Sequence, residues 1–295
     1  MLRAAHDLAF AGVELAVFED KGVGPDKYPW VRVDQLNNEQ RRSLKALVGR
    51  FRIVTTHLPY GSTVRPLAED RAVRAASRRE LHRAIEDSAF WGARLANVHL
   101  MSETGVSYAA AKPELIALYR ELGDTARMHG LRLAIETTRP YRCSEYLELV
   151  HAIDHPAVGG SVDTGHMHFF KDELLVSRAE RATEAGRRQY NAFLLQTLST
   201  LGPKLFHVHF NDLRPLDWRE HFVPGTGIID WPRFFAHLDG LDYRGALVAE
   251  LLYYQGAEDK GAMLTRAFTQ RTPDGAVRTG LEAMQSFLRP LLTRG

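Results

Sequence analysis

Short apolar segments alternate along the chain with longer segments in which apolar residues recur every three to four positions. The short segments are rich in Val, Ile and Leu and stay apolar along most of their length, which is typical of parallel strands covered on both faces. Repeated strand–helix–strand units predict an α/β fold with a parallel sheet. The predicted strands are residues 12–18, 52–58, 95–100, 131–136, 158–163, 205–210 and 246–251.

Several of the longer segments predict helices. Residues 75–92 and 113–129 each bring apolar side chains to one face. Gly130 follows directly and is expected to end the second helix in the left-handed conformation. Residues 167–203 contain a charged, Ala-rich stretch that predicts a helical insertion, and residues 253–295 predict a helical C-terminal tail. No linker or break in composition interrupts the chain, so residues 1–295 are expected to form a single domain.

Almost every predicted strand finishes with a histidine or a carboxylate. The residues are His57, His99, Glu136, Asp163, His209 and Glu250. In an eight-stranded parallel barrel such ends converge on the face where active sites lie. A buried carboxylate needs a partner, a proton or a cation. The three carboxylates together with His209 form a hard ligand set, which predicts one divalent ion, Mn²⁺, Mg²⁺ or Co²⁺, or Zn²⁺ if more histidines join.

Two short motifs add to this set. In the motif DTGH, His166 follows Asp163 by three residues and either returns to the same site or faces solvent from a loop. In the motif HVHFND, His207 and His209 share a face of one strand because they are two residues apart. His209 is nearer the strand end and is the better candidate ligand. His207 is expected to orient a ligand or to belong to the core.

A third motif, PGTGIIDW, follows His221. Gly225 and Gly227 predict a tight loop, and the sequence Asp-Trp-Pro at residues 230–232 predicts a helix start with Pro just inside it. His221 could contact a substrate or lie on the surface. The glycines are more simply explained by the shape of the loop.

Bulk composition excludes some classes of protein. The formal net charge is +2, with 38 Lys and Arg against 36 Asp and Glu, so the chain has no strongly basic character that would require nucleic acid as a partner. The single cysteine, Cys143, cannot form an internal disulfide, which suits a reducing compartment. The sequence has neither an apolar run of membrane-spanning length nor a signal-peptide pattern, and a cytoplasmic location is expected.

The motifs LAIE, VDTGH, HVHFND, PGTGIIDW and LVAE occur in this order between residues 133 and 250. With GVEL at residue 12, they make the chain resemble the xylose-isomerase-like TIM barrels, a superfamily of sugar isomerases and epimerases, inosose dehydratases and endonuclease IV. The resemblance implies a (β/α)8-type barrel. It also implies that a divalent metal binds to Glu136, Asp163, His209 and Glu250, and that in epimerases of the D-tagatose 3-epimerase type the two glutamates transfer the proton.

The resemblance also implies residues that contact the substrate. They are His57, His99, His166, Arg214 and His221, although the family's arginine falls one position later than Arg214. The expected enzyme is an isomerase or epimerase of a sugar or polyol-derived carbonyl compound, and a homodimer contact could come from the insertion or the tail. One alternative is an endonuclease IV-like zinc phosphodiesterase acting on abasic DNA. Others are an inosose or dehydroshikimate dehydratase and a sugar-binding barrel without activity.

One departure counts against the nuclease. The Asp-x-His ligand pair of endonuclease IV has Arg219 in place of its aspartate, and this arginine precedes Glu220 and His221. A cation beside a zinc ion should weaken its binding. The count of seven strands is a second departure, because a first strand and helix precede the GVEL strand in the resembling family. Either translation starts upstream of Met1 or the barrel is incomplete, and the upstream start is the favoured expectation.

Overall fold

The computed structural model describes residues 2–17, 31–61, 64–250, 282 and 284–286. Its strands are β1 (Gly12–Ala16), β2 (Ile53–His57), β3 (Leu95–His99), β4 (Arg132–Glu136), β5 (Val158–Asp163), β6 (Leu205–Phe210) and β7 (Ala246–Ala249). Neighbouring strands are parallel throughout, and their order in the sheet follows their order in the chain. The seven strands nearly close into a barrel, and the predicted α/β barrel is confirmed.

The described helices are α1 (Leu2–Asp7), α2 (Asn38–Val48), α3 (Arg71–Trp91), α4 (Tyr108–Met128), α5 (Cys143–Ile153), α6 (Lys171–Leu174), α7 (Glu184–Leu201) and α8 (Trp231–Gly240). Helix α4 ends where the sequence predicts, and Gly130 has a φ of +71°. Helix α8 starts at the predicted Asp-Trp-Pro, with Asp230 accepting a hydrogen bond from the backbone N–H of Arg233. No described helix is long and apolar enough to span a membrane.

Each of the seven predicted strands occurs, with ends that differ by up to two residues. The predicted insertion at 167–203 consists of short helical turns followed by α7, which is the helix between β5 and β6. Nearly all of the predicted tail at 253–295 lies outside the described residues. Within the described part, β1 pairs only with β2 and β7 only with β6, so these two strands are the edges of the sheet.

Alternation along the strands separates an apolar outer face from a polar barrel interior. Val98, Leu133 and Val208 are fully buried on the side that packs against the helices. The interior begins as an apolar layer of Leu95, Ala134 and Phe206 near the N-terminal ends of the strands. Toward the C-terminal ends of the strands the interior side chains become polar and charged. The apolar layer of the barrel interior is therefore followed directly by a layer of His, Asp and Glu side chains.

Asp212, two residues beyond β6, organises the loop that precedes α8. Its carboxylate accepts hydrogen bonds from the backbone N–H groups of Leu213, Gly225 and Ile229 at 2.9, 2.9 and 3.1 Å, and from the indole of Trp231 at 2.9 Å. A Cβ atom at Gly227 would lie 2.3 Å from one of the Asp212 carboxylate oxygens, so this loop requires glycine there.

We expect Asp212→Ala to lower the free energy of unfolding by about 3–5 kcal/mol, because several buried donors lose their acceptor at once. Asp239→Ala is the matched control, since Asp239 is exposed near the end of α8. Urea unfolding followed by circular dichroism measures both variants. Equal midpoints for the two would contradict the role given to Asp212.

Candidate metal and active site

The four predicted metal ligands meet at the C-terminal ends of the strands. One ligand atom from each of Glu136, Asp163, His209 and Glu250 lies within 4.8 Å of the others. Glu136, Asp163 and His209 have no solvent exposure, whereas the side chain of Glu250 is 37% exposed. Among these four described side chains, Glu250 is therefore the one exposed to solvent.

Glu136 lies at the centre of the histidine cluster. Its Oε2 is 3.4 Å from Nε2 of His57 and 3.6 Å from Nε2 of His99, and it accepts a hydrogen bond from the side chain of Asn97. Its Oε1 is 3.2 Å from Nδ1 of His166 and 3.4 Å from Nδ1 of His209. One carboxylate thus contacts imidazoles from four different parts of the barrel.

The electrostatics of the site favour ionised glutamates. Burial alone would raise the pKa of Glu136, but the surrounding imidazoles, and above all the charge on His209, hold it well below the usual value. The pKa of Glu250 is also lowered, because the charge on His209 outweighs the effect of burial. The two carboxylates expected to move protons are therefore both in the base form at neutral pH.

The histidines divide by their surroundings. Burial lowers the pKa of His99 to about 3, against the weaker opposing effect of Glu136. His166 is more deeply buried, but the charges of Asp163 and Glu136 outweigh burial and raise its pKa to about 10. At neutral pH these pKa values make His99 a neutral imidazole and His166 a protonated one.

Asp163 accepts hydrogen bonds from the side chain of Asn211 and from two backbone N–H groups. Asn211 donates from its amide nitrogen to both carboxylate oxygens at 3.0 Å, and the backbone N–H groups of Gly165 and His166 donate to Oδ1 at 2.6 and 3.0 Å. The Oδ1 atom of Asn211 accepts the backbone N–H of His221 at 2.9 Å. Burial nevertheless raises the pKa of Asp163 above its usual value, despite the charge of His166.

His57 and His166 each use one ring nitrogen in a hydrogen bond to a backbone carbonyl group. Nδ1 of His57 donates to the carbonyl of Leu58 at 2.8 Å, and Nδ1 of His166 donates to the carbonyl of Thr137 at 2.8 Å. The ring of His166 also stacks on Phe169 with centroids 5.0 Å apart. These contacts fix the ring planes, so that each Nε2 is directed by the fold and not by solvent.

The remaining predicted substrate residues differ in position. His221 is buried, lies with its ring centroid 5.6 Å from that of His166, and has its Nδ1 3.4 Å from the backbone oxygen of Glu250. The guanidinium of Arg214 donates two hydrogen bonds to Asp217 and lies 5.9 Å from the ring centroid of Phe222. His221 therefore lies beside Glu250 and His166, whereas Arg214 pairs with Asp217 on the loop after β6.

Glu14, in β1, is a site residue that the sequence reasoning missed. Its carboxylate accepts from Nε2 of His209 at 2.7 Å and from the hydroxyl of Thr55 at 2.8 Å, and it lies 3.2 Å from Nε2 of His207. The charge of His209 and the hydrogen bond from His207 overcome burial and hold the pKa of Glu14 well below its usual value. An acidic residue in the middle of the apolar segment GVELAV was the signal that could have found it.

The donor set fits a divalent ion. Oε1 of Glu136 and Nδ1 of His209 are buried and 3.4 Å apart, and among the described residues neither has a hydrogen-bond partner. Both side chains belong to the group of four. Buried polar atoms are normally satisfied, so two adjacent unsatisfied ones indicate a missing partner. Three carboxylate oxygens and one imidazole nitrogen within 4.8 Å form the shell that a hard divalent cation takes.

No curated protein sequence matches the chain. Among solved structures, D-psicose 3-epimerase from Clostridium cellulolyticum H10 is 17% identical with a TM-score of 0.69, over 99% of this chain and 92% of that chain. D-allulose 3-epimerase from Methylomonas sp. is 16% identical with a TM-score of 0.67, over 98% and 90%.

A third similar structure is the 3-keto-D-glucoside 4-epimerase of E. coli, which is 17% identical with a TM-score of 0.61, over 97% of this chain and 92% of that chain. At these identities the likeness establishes a shared barrel fold. The sequence profile of the xylose isomerase-like TIM barrel family matches residues 2–287. Because that match covers nearly the whole chain, the protein belongs to the xylose isomerase-like TIM barrel family.

Proposed function

We propose that this chain is a divalent-metal-dependent isomerase or epimerase of a sugar or polyol-derived carbonyl compound. The observation that carries the proposal is the position of two glutamates around one imidazole. Nδ1 of His209 lies 3.4 Å from Oε1 of Glu136 and 3.0 Å from Oε2 of Glu250. Sugar epimerases are also the named activity of the similar barrels described above, which supports the same assignment.

The metal ligands in this proposal are Glu136, Asp163, His209 and Glu250. When bound, a divalent cation such as Mn²⁺, Mg²⁺ or Co²⁺ polarises a carbonyl group and stabilises the negative charge that develops when the neighbouring carbon loses its proton. Zn²⁺ fits the same shell less well, since carboxylates outnumber imidazoles. Asn211 keeps Asp163 in position through its two hydrogen bonds.

Proton transfer is assigned to Glu136 and Glu250. One carboxylate removes the proton from the carbon next to the carbonyl and later releases it to solvent. The other takes up a proton from solvent and returns it to the opposite face or to the adjacent carbon. The low pKa values of both glutamates keep them ionised and able to accept a proton at neutral pH. In this assignment Glu136 acts from a fully buried position and Glu250 from a partly exposed one.

Substrate contacts are assigned to the surrounding imidazoles. His57 and His99 flank Oε2 of Glu136, and His166 flanks Oε1. These rings are suited to hydroxyl groups, because a neutral imidazole has one donor and one acceptor nitrogen, a protonated imidazole has two donors, and a hydroxyl group can accept or donate. His221 supplies a further contact beside Glu250. Arg214 would serve as an anchor only after leaving Asp217.

The test of this proposal combines metal analysis with a substrate panel. We expect one divalent ion per chain and turnover of at least one ketose, polyol-derived ketone or inosose, with deuterium from D₂O incorporated at the reacting carbon. Metal analysis of the purified protein measures the ion content. Mass spectrometry and NMR of the products measure turnover and the incorporated deuterium. Turnover without solvent deuterium, or activity insensitive to metal, would contradict proton transfer by the glutamates. A product lighter by one water would indicate a dehydratase instead.

A second candidate function is metal-assisted hydrolysis of abasic DNA. It is favoured by a second cluster, in which ligand atoms of His57, His99 and Glu136 lie within 4.8 Å of one another. Arg219 in place of a carboxylate ligand argues against it. Two or three zinc ions per chain and cleavage of an abasic-site duplex would support the nuclease, and one ion with no cleavage would exclude it.

A further inference from the structure

Glu14 connects two strands that are not neighbours in the sheet. It lies on the edge strand β1, and its carboxylate reaches His209 on β6, with Oε1 2.7 Å from Nε2. The Glu14 side chain is 12% exposed and that of His209 is fully buried. The hydrogen bond therefore forms in a low-dielectric interior, where a carboxylate and an imidazole interact strongly.

The two ring nitrogens of His209 have different environments. Nε2 faces Glu14, whereas Nδ1 faces Glu250 at 3.0 Å and Glu136 at 3.4 Å. A carboxylate cannot donate a hydrogen bond once it is ionised, so the Nε2 position must carry the proton. In the neutral ring the lone pair is then on Nδ1, the nitrogen that faces Glu136 and Glu250.

Glu14 is itself anchored. The hydroxyl of Thr55 donates to its Oε2 at 2.8 Å, and Nε2 of His207 lies 3.2 Å from the same oxygen. Nδ1 of His207 is in turn 3.0 Å from the hydroxyl of Ser161. The hydrogen bond from Thr55 thus holds Oε2, with His207 close beside it, while Oε1 accepts the hydrogen bond from His209.

We propose that Glu14 is a positioning residue that fixes the tautomer and the ring plane of His209, so that Nδ1 is presented to the metal. This inference rests on the proposed function, because it takes His209 as a metal ligand. Carboxylates that accept from the outer nitrogen of a metal-bound histidine raise its basicity and restrict its rotation, and their loss weakens metal binding about 10–100-fold. Glu14 has that position here.

The experiment uses the full chain, stripped of metal and titrated with Mn²⁺ by calorimetry. Glu14→Gln keeps the volume and removes the charge, and we expect its Mn²⁺ affinity to fall about 10–100-fold. Glu148→Gln is the matched control, because it makes the same substitution at an exposed glutamate that pairs with Lys112 away from the site. Its affinity should stay within about threefold of wild type. Glu14→Asp, which retains the charge but is one methylene shorter, serves if Glu14→Gln does not fold.

A second readout follows the imidazole directly. In zinc-loaded protein with ¹⁵N-labelled histidine, the Nε2 proton of His209 should be a downfield, slowly exchanging signal in wild type and in Glu148→Gln. In Glu14→Gln it should move upfield and exchange faster. Equal Mn²⁺ affinity in Glu14→Gln and wild type would overturn the role of Glu14 alone. A wild-type chain that binds no divalent cation would instead overturn the proposed function, together with this inference.

Discussion

Glu136→Gln and Glu250→Gln are each expected to abolish turnover. Amide side chains of the same size cannot accept a proton from carbon, and a positioned general base contributes about 10²–10⁴-fold to the rate. Each glutamate is also a proposed metal ligand, so the loss should reach the upper end of that range. Steady-state rates at saturating metal and substrate measure the effect.

The controls separate charge at the site from charge elsewhere. Glu148→Gln changes an exposed glutamate that pairs with Lys112 on the surface, and its rate should match wild type. His57→Ala should weaken turnover without abolishing it, because its ring flanks Glu136 and transfers no proton in the proposed reaction. Near-normal rates in either site variant would rule out the two-glutamate mechanism.

Removal of metal by a chelator is expected to stop turnover completely and to lower the thermal stability of the chain. An ion that binds only the folded state stabilises it by about 2.7 kcal/mol when its concentration is 100 times Kd. Differential scanning calorimetry with and without Mn²⁺ measures the change. Restored activity after adding one equivalent of ion would link the two effects to a single site.

Glu136→Gln provides the matching control for stability. Without the charge at the centre of the site, added Mn²⁺ should raise the melting temperature much less than in wild type. Full stabilisation of that variant by Mn²⁺ would place the ion elsewhere, for example among exposed carboxylates. Stability that is unaffected by a chelator, with activity retained, would exclude a metal enzyme.

The sequence was sufficient to predict the seven strands and the convergence of their polar ends. Continuous apolar runs can be read locally, and parallel pairing puts all the C-terminal ends at one side of the sheet. Glu136 and Asp163 could be named because each is a carboxylate that directly ends such a run. These are short-range features that need no knowledge of distant contacts.

Other parts of the site depend on contacts that are distant in sequence. The partner of Glu14 is 195 residues away, and nothing in GVEL indicates which imidazole it meets. Asn211 bears no charge, so its double contact with Asp163 has no signature in the sequence. The substrate contact predicted for Arg214 stays a prediction, and its two hydrogen bonds to Asp217 depend on a loop conformation that the sequence does not reveal.

Asn211 and Asp212 are adjacent in the chain, yet one restrains the site and the other restrains the loop that leads to α8. The backbone N–H of His221 donates to Asn211, and those of Gly225 and Ile229 donate to Asp212. All three hydrogen bonds break when the segment 221–229 moves away from residues 211 and 212. Contiguous stretches held in this way open as cooperative units. The amide protons of His221, Gly225 and Ile229 should therefore exchange with solvent through one shared opening, and a ligand that immobilises Asp163 would slow all three.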